Sequence, residues 1–460
     1  MTEPIDGTTK LDTGIVVVLC TTLLFTTLLY GGVDSGAITL IALSMTVILC
    51  LWAAFAWKSG EFRLNVSYLH APIIGWLIIG VIQLLPIREV GSLTEILGTP
   101  ASASLSFDQY ATRLFLTRLV FYFVFLAAAL TFVNSESRVR RITWSMIIFG
   151  SAIAFFGILQ WLAKPDAIYG LRATPQAIPF GPFVNQHHFA ALMEMMSGLT
   201  LGVLFGRGTK KDKRPLLLIA AVLMVVAIVL TGSRGGVIGF LGVALFAGLA
   251  TLAFQRDKEA LGDGGNNRAL SRRLLPVAVA AAGLVMLFSV VVFLGGEQSL
   301  LRGSGIVNQQ TDLSSGRTQF WSVGLQIFLS HPVIGTGFDT FGVAYTQFDP
   351  SIGVFRVEQA HNDYLQTLAD GGILAFVCLI VFIYFLFRNG IAAIGKRHDQ
   401  QMRSISIGCL AGCFGILVHS LFDFPLRTPA NAFFFLMLIA LAVVEVGRSK
   451  KKLTKSVSEH

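Results

Sequence analysis

Twelve long apolar runs constrain this chain more than anything else in it: 14–30, 37–57, 67–85, 112–133, 142–163, 187–206, 215–231, 235–254, 274–294, 372–389, 404–422 and 429–447. Most are long enough to cross about 30 Å of hydrocarbon as helices. Composition agrees, because 13% charged residues against 54% hydrophobic ones fall well short of the roughly 25% charged residues of a soluble domain. The expectation is an all-α integral membrane protein with about twelve transmembrane helices. The first run is not a cleaved signal peptide on this reading: Glu3, Asp6 and Asp12 precede or open it against a single Lys10, the wrong charge for such a leader. Cys20, Cys50, Cys378, Cys409 and Cys413 all lie inside apolar runs without His at ligand spacing. They are expected to be packing residues, with neither a metal site nor a disulfide framework.

Basic residues set the orientation. Arg138, Arg140 and Arg141 follow the fourth run, and Arg207, Lys210, Lys211, Lys213 and Arg214 follow the sixth. Further clusters follow the eighth and tenth runs and fill the tail at 448–460. With Lys10, Lys58 and Arg63 they put 25 of the 35 Lys and Arg residues on one side. The positive-inside rule then makes both termini cytoplasmic. This topology accounts for the positive charge without invoking nucleic acid. The long connections 86–111, 164–186 and 295–371 fall on the opposite, extracytoplasmic side. A structureless connection as long as the last is unusual, so it should hold its own elements and part of the function. The division read from the sequence is 1–294 (nine spans), 295–371 (outer loop), 372–447 (three spans) and 448–460 (tail).

Within the outer loop a helix is expected at 315–331, with Ser315 as N-cap, Pro332 as stop, and Phe320, Val323, Gly324, Ile327 and Phe328 on one face. Such a stripe suits a helix lying on the outer leaflet. A second helix should carry His361 and end at Gly371-Gly372. Gly335-Thr336-Gly337 has no strand before it and reads as a turn rather than a nucleotide loop.

The segment 358–372 is the most polar stretch beside a membrane span, and polar clusters there are costly to keep for packing alone. His361 suits a general base, since imidazole titrates near pH 6.5 in the absence of perturbation. Asn362 and Asp363 are placed to orient a substrate or the ring. Arg234, between the seventh and eighth runs, and Arg317, opening the loop helix, face the side where basic residues are sparse. A planar guanidinium fork there suits a membrane-embedded diphosphate; an anchor at lipid headgroups is the competing reading. Arg356 is a further loop arginine. Asn185 and His187, with His188, sit at an outer helix end as supporting or capping groups. His419 and Asp423 read as a structural pair, and Glu194 and Arg118 as intramembrane charges.

In order along 180–440, several short motifs resemble the bacterial O-antigen ligase and O-antigen polymerase family. They are Gly181-Pro182-Phe183-Val184-Asn185-Gln186-His187-His188, Ser233-Arg234-Gly235-Gly236, Gly316-Arg317 with Trp321, His331-Pro332-Val333-Ile334-Gly335, His361-Asn362-Asp363-Tyr364-Leu365 and His419-Ser420-Leu421-Phe422-Asp423-Phe424-Pro425. Ala375 stands where the family's ligases carry Gly, Thr or Tyr. The resemblance implies a GT-C-like, metal-independent glycosyltransferase of the bacterial inner membrane, acting on its periplasmic side without a cofactor. Arg234 and Arg317 would hold the diphosphate of a polyprenyl-linked glycan donor, and His361 would activate the acceptor. The acceptor is left open between a growing glycan, a lipid core and a protein; the last would make the chain a protein O-oligosaccharyltransferase. A lipid-linked glycan flippase or transporter is the reading from another class, but the matching broken halves of such folds are not evident.

Overall fold

The computed structural model describes residues 10–87, 103–175, 177–206, 209–259, 317–350 and 356–444. In chain order the helices are α1 Lys10–Leu28, α2 Ser35–Ser59, α3 His70–Gln83, α4 Gln109–Phe132, α5 Glu136–Ala163, α6 Gln186–Phe205, α7 Arg214–Leu230, α8 Arg234–Glu259, α9 Arg317–Ser330, α10 Phe341–Tyr345, α11 Asp363–Lys396, α12 Gln400–His419 and α13 Pro429–Val443. Among the described residues, nine of these are long and apolar enough to cross a membrane, and α3 and α13 are shorter apolar helices. The protein is an all-α integral membrane protein, as its apolar runs require. Eleven of the twelve runs coincide with these helices; run 274–294 and the expected N-cap Ser315 lie outside the described residues.

α6 and α12 form the centre of the bundle. A Cβ on Gly198 would lie 2.5 Å from the Gly412 nitrogen, and one on Gly202 would overlap the backbone of Gly408. Glycines on both helices therefore allow backbone contact, the usual route to tight packing where lipid removes the hydrophobic drive between helices. At the end of the bundle away from His361, Arg397 caps α11 and donates to the Met402, Leu441 and Val444 carbonyls at 3.0, 3.1 and 2.9 Å. One side chain thus joins the ends of α11, α12 and α13.

The site depends on the two short helices. At about 1.5 Å per residue, α3 and α13 span only about 21–23 Å, less than the hydrocarbon thickness. Non-helical backbone continues from each of them, and at hydrocarbon depth such backbone is tolerated only when buried in protein. Gln83, fully buried at the end of α3, donates to the Ile334 and Asp370 carbonyls at 2.6 and 2.9 Å and accepts from Phe338 N at 3.0 Å. Thr112 of α4 donates to the Phe338 carbonyl at 2.9 Å. Segment 331–340 is thereby pinned between α3, α4 and α11, and segment 420–428 takes the corresponding place before α13.

Two local expectations change. His361 is not carried on a helix but sits just before Asn362, the N-cap of α11. Nor does Gly371-Gly372 end that helix. Gly372 adopts φ 65° and ψ −168°, breaking α11, which then resumes and runs to Lys396. The break survives because the loop supplies acceptors: Ile373 N donates to Pro332 O at 2.8 Å and Leu374 N to Val333 O at 3.3 Å. The loop helix α9 is where the periodicity puts it, with Val323, Gly324 and Ile327 buried. That face packs on Phe341 of α10 and Leu365 of α11 rather than on lipid alone, while Leu325 and Leu329 stay exposed on the other side.

Candidate active site

Asp423 is the point on which the candidate residues converge. It follows α12 in the turn 420–424, with its side chain only 2% exposed. His361 Nδ1 lies 3.2 Å from Asp423 Oδ1, and an Arg317 guanidinium nitrogen lies 3.7 Å from Oδ2. Burial pushes the Asp423 carboxyl up. The hydrogen bond from His361 and the nearby His188, His187 and His419 outweigh it and leave the group well below the usual carboxylate range. With its Nδ1 facing the Asp423 carboxyl, His361 turns Nε2 to the other side of the ring, the nitrogen a general base would use.

His361 is held firmly. Its φ of 50° is in the left-handed region, uncommon for a residue with a side chain and costing about 1–3 kcal/mol. The backbone on either side is fixed by Ala360 N donating to Gln366 Oε1 and Asp363 N donating to Ser420 O, both at 2.9 Å. The ring lies between Phe320 (centroids 6.0 Å apart) and Phe424 (4.9 Å), and the side chain keeps 31% of its surface open.

The other candidates divide by role. Asn362 accepts from Tyr364 N and Leu365 N at 3.0 Å, and Asn185 from His187 N at 2.8 Å. Both amides cap helices, fixing the backbones that carry His361 and His187. Asp363 accepts from the Ser420 hydroxyl at 3.0 Å and lies 3.8 Å from Arg427. His188 is buried, its Nδ1 2.7 Å from the Thr428 hydroxyl and its ring against Phe424. Arg356 is almost fully exposed in an ion pair with Glu358. Arg234 is exposed at the start of α8, and the next residue, Gly235, packs against the His419 ring.

His419 and Asp423 are not the structural pair expected from the sequence. His419 Nδ1 lies 2.8 Å from Glu194 Oε1 of α6, both side chains sealed from solvent. α12 ends at His419, so the turn that follows carries Asp423 away towards His361. A second cluster was not assembled from the sequence, which singles out only its Arg118. Arg427 donates to Asp339 at 2.6 Å and to Asp370 at 2.9 Å, and Arg118 lies 3.8 Å from Asp339. Burial works against the Arg427 charge, yet Asp339, Asp370 and Asp363 raise its pKa above the ordinary arginine value. These partners are far apart in sequence, and the only signal for them was the presence of charges in or beside apolar runs.

Beside both clusters opens a cavity of about 640 Å³. Asp363, Glu358, Gln359, Arg118 and Arg427 line its polar part, and Trp76, Leu119, Leu379, Phe382 and Leu436 part of its apolar wall.

Comparison with known proteins covers the same ground. Residues 219–380 match the O-antigen ligase family. The resemblance first carried by the short motifs is thus shown, from α7 to the middle of α11. Arg234, Arg317 and His361 lie inside the O-antigen ligase match, whereas Asp423, Arg427 and Asn185 lie outside it. The exopolysaccharide production protein ExoQ of Rhizobium meliloti strain 1021 is 20% identical over 195 residues, 41% of this chain. The chain spans 42% of the length of that relative.

Proposed function

We propose that this protein is a membrane glycosyltransferase of polysaccharide biosynthesis that transfers glycan from a polyprenyl diphosphate to an acceptor hydroxyl. The observation that carries the reading is the convergence of His361 and Arg317 on buried Asp423. The O-antigen ligase match and the exopolysaccharide relative support the substrate class.

In the reaction, the acceptor O–H gives its proton to His361 Nε2 while the oxygen attacks the anomeric carbon. The new C–O bond forms as the bond from that carbon to phosphate breaks, and the electron pair leaves with the diphosphate. Attack opposite the leaving group inverts the anomeric centre. Asp423 holds the imidazole and stabilises the imidazolium that forms, a role worth typically several powers of ten in hydrolytic triads. Arg317 takes the growing charge on the leaving group. Its contact with Asp423, at 3.7 Å, is longer than a hydrogen bond, so the guanidinium donors can turn to phosphate oxygens. Arg234 supplies a second fork. The site faces the periplasm of the inner membrane, with both termini in the cytoplasm.

The test is reconstitution of the purified protein in liposomes containing lipid-linked glycan and acceptor. Release of free polyprenyl diphosphate in step with glycan transfer is expected. Movement of the lipid across the bilayer without its consumption would overturn the assignment in favour of a flippase.

A further inference from the structure

The buried pair of Glu194 and His419 lies directly beneath the start of α8, the helix whose first residue is Arg234. His419 Nδ1 stands 2.8 Å from Glu194 Oε1, with neither side chain open to solvent. Gly235 and Gly239, about one helical turn apart on α8, face this pair. A Cβ on Gly235 would lie 2.6 Å from His419 Cδ2 and 2.8 Å from Nε2, and one on Gly239 would overlap Glu194 Oε2. A Cβ on Gly236 would lie 2.8 Å from that of Ala190 on α6. The backbone of α8 therefore rests on the imidazole and the carboxylate themselves, a closeness that only glycine allows.

His419 touches two parts of the candidate site at once. Its ring sits between Glu194 and Gly235, the residue next to Arg234. Its backbone carbonyl accepts from Phe422 N at 2.8 Å and from Asp423 N at 3.1 Å, which starts the turn carrying Asp423. The beginning of α8 is itself tied together. Ser233 N donates to Thr231 Oγ1 at 3.2 Å, and Gly236 N donates to Ser233 Oγ at 3.1 Å. A displacement of the His419 ring is thus passed to Gly235 and on to Arg234, with no side chain between to absorb it.

Stability alone does not call for this pair. Apolar residues of similar volume in place of a buried charged pair are often neutral or stabilising, and here Glu194 Oε2 and His419 Nε2 also lack hydrogen-bond partners. What an apolar contact does not provide is a fixed distance and direction. The hydrogen bond between α6 and α12 holds the ring at one angle, and that angle sets where α8 begins.

We propose that Glu194 is a positioning residue of the diphosphate site: through the His419 imidazole it sets the first turn of α8 and hence the reach of Arg234. Glu194, sealed in the bundle, touches no substrate itself. The proposal rests on the glycan-transfer reading, in which Arg234 is a ligand of the diphosphate, and adds to it the buried group that places that ligand.

The test is a double-mutant cycle read by binding of tritiated polyprenyl diphosphate, without glycan, to the full chain in nanodiscs. Glu194→Asp keeps the carboxyl but draws it back by one methylene, so the ring and α8 follow. Affinity should fall about tenfold, and Glu194→Gln, which keeps the length of the side chain, should recover most of the loss. In an Arg234→Ala background Glu194→Asp should change affinity by less than about twofold, whereas in an Arg317→Ala background the loss of about tenfold should remain. Gly235→Ala presses on the ring from the other side with the pair intact and should give the same pattern, so the cycle can be closed even if Glu194→Asp does not fold. Equal losses in the two arginine backgrounds, or no loss in either, would overturn the proposal and leave the pair a structural one. Glycan transfer by wild type is measured in parallel. If Glu194 couples to Arg234 but no glycan is transferred, the glycan-transfer reading fails and the positioning stands. If glycan is transferred and the losses are equal, the positioning fails alone. Wild type that binds no polyprenyl diphosphate overturns both.

Discussion

His361 Nδ1 and Asp423 Oδ1 lie 3.2 Å apart although 62 residues separate them in the chain. The contact joins the segment before α11 to the turn after α12, and it orients the imidazole. The same turn places Asp423 within 3.7 Å of Arg317, so the proposed base and the proposed phosphate ligand are referred to one buried charge.

Replacing Asp423 by Asn should leave the fold and the donor KM nearly unchanged and lower kcat by about 10²–10⁴-fold, because the amide favours the wrong tautomer. Steady-state kinetics of the reconstituted variant check this. A kcat within twofold of wild type would reduce Asp423 to a structural residue.

Arg317→Ala should raise the donor KM and lower kcat together, and Arg317→Lys should restore little, since an ammonium cannot reproduce the bidentate fork. Full recovery with Lys would show that charge alone matters there.

Asp423 also has a pH signature. Its folded-state pKa is depressed, so its contribution to stability is present above the unfolded value of about 3.9 and is lost only as pH falls through the lower folded value. The difference in melting temperature between wild type and Asp423→Asn should therefore hold steady from pH 8 to pH 5. A gap that closes between pH 7 and pH 5 would contradict the assigned ionisation.

The Glu194–His419 pair predicts a stability effect. Both side chains are sealed, with Glu194 Oε2 and His419 Nε2 lacking hydrogen-bond partners. Removing one partner leaves the other buried and unpaired, which costs about 3–5 kcal/mol. Glu194→Ala should lower the melting temperature of the detergent-solubilised protein markedly. An unchanged melting temperature would mean that the pair contributes little to holding α6 and α12 together.

Much of the architecture was readable from the sequence because each span is a continuous apolar run, which membrane burial imposes locally. The chemistry was less readable. His361, Arg317 and Arg234 stand out by their sign and position, but Asp423 reads as a structural partner of His419, its neighbour at the outer end of the same span. α12 ends at His419, and that ending is set by tertiary contacts. The Arg427 cluster escaped for the same reason, since Asp339 and Asp370 reach it from 88 and 57 residues away. Gly372 read as a helix stop because its conformational freedom is local, whereas the carbonyls that let α11 resume come from segment 331–340.

The most direct measurement compares polyprenyl diphosphate release from lipid-linked glycan by reconstituted wild-type protein and by His361→Ala, with equal membrane insertion verified. Wild type should release the carrier in proportion to glycan transferred, and His361→Ala should fall by at least about 10²-fold. Release at the wild-type rate by His361→Ala would contradict the assignment of His361 as the base.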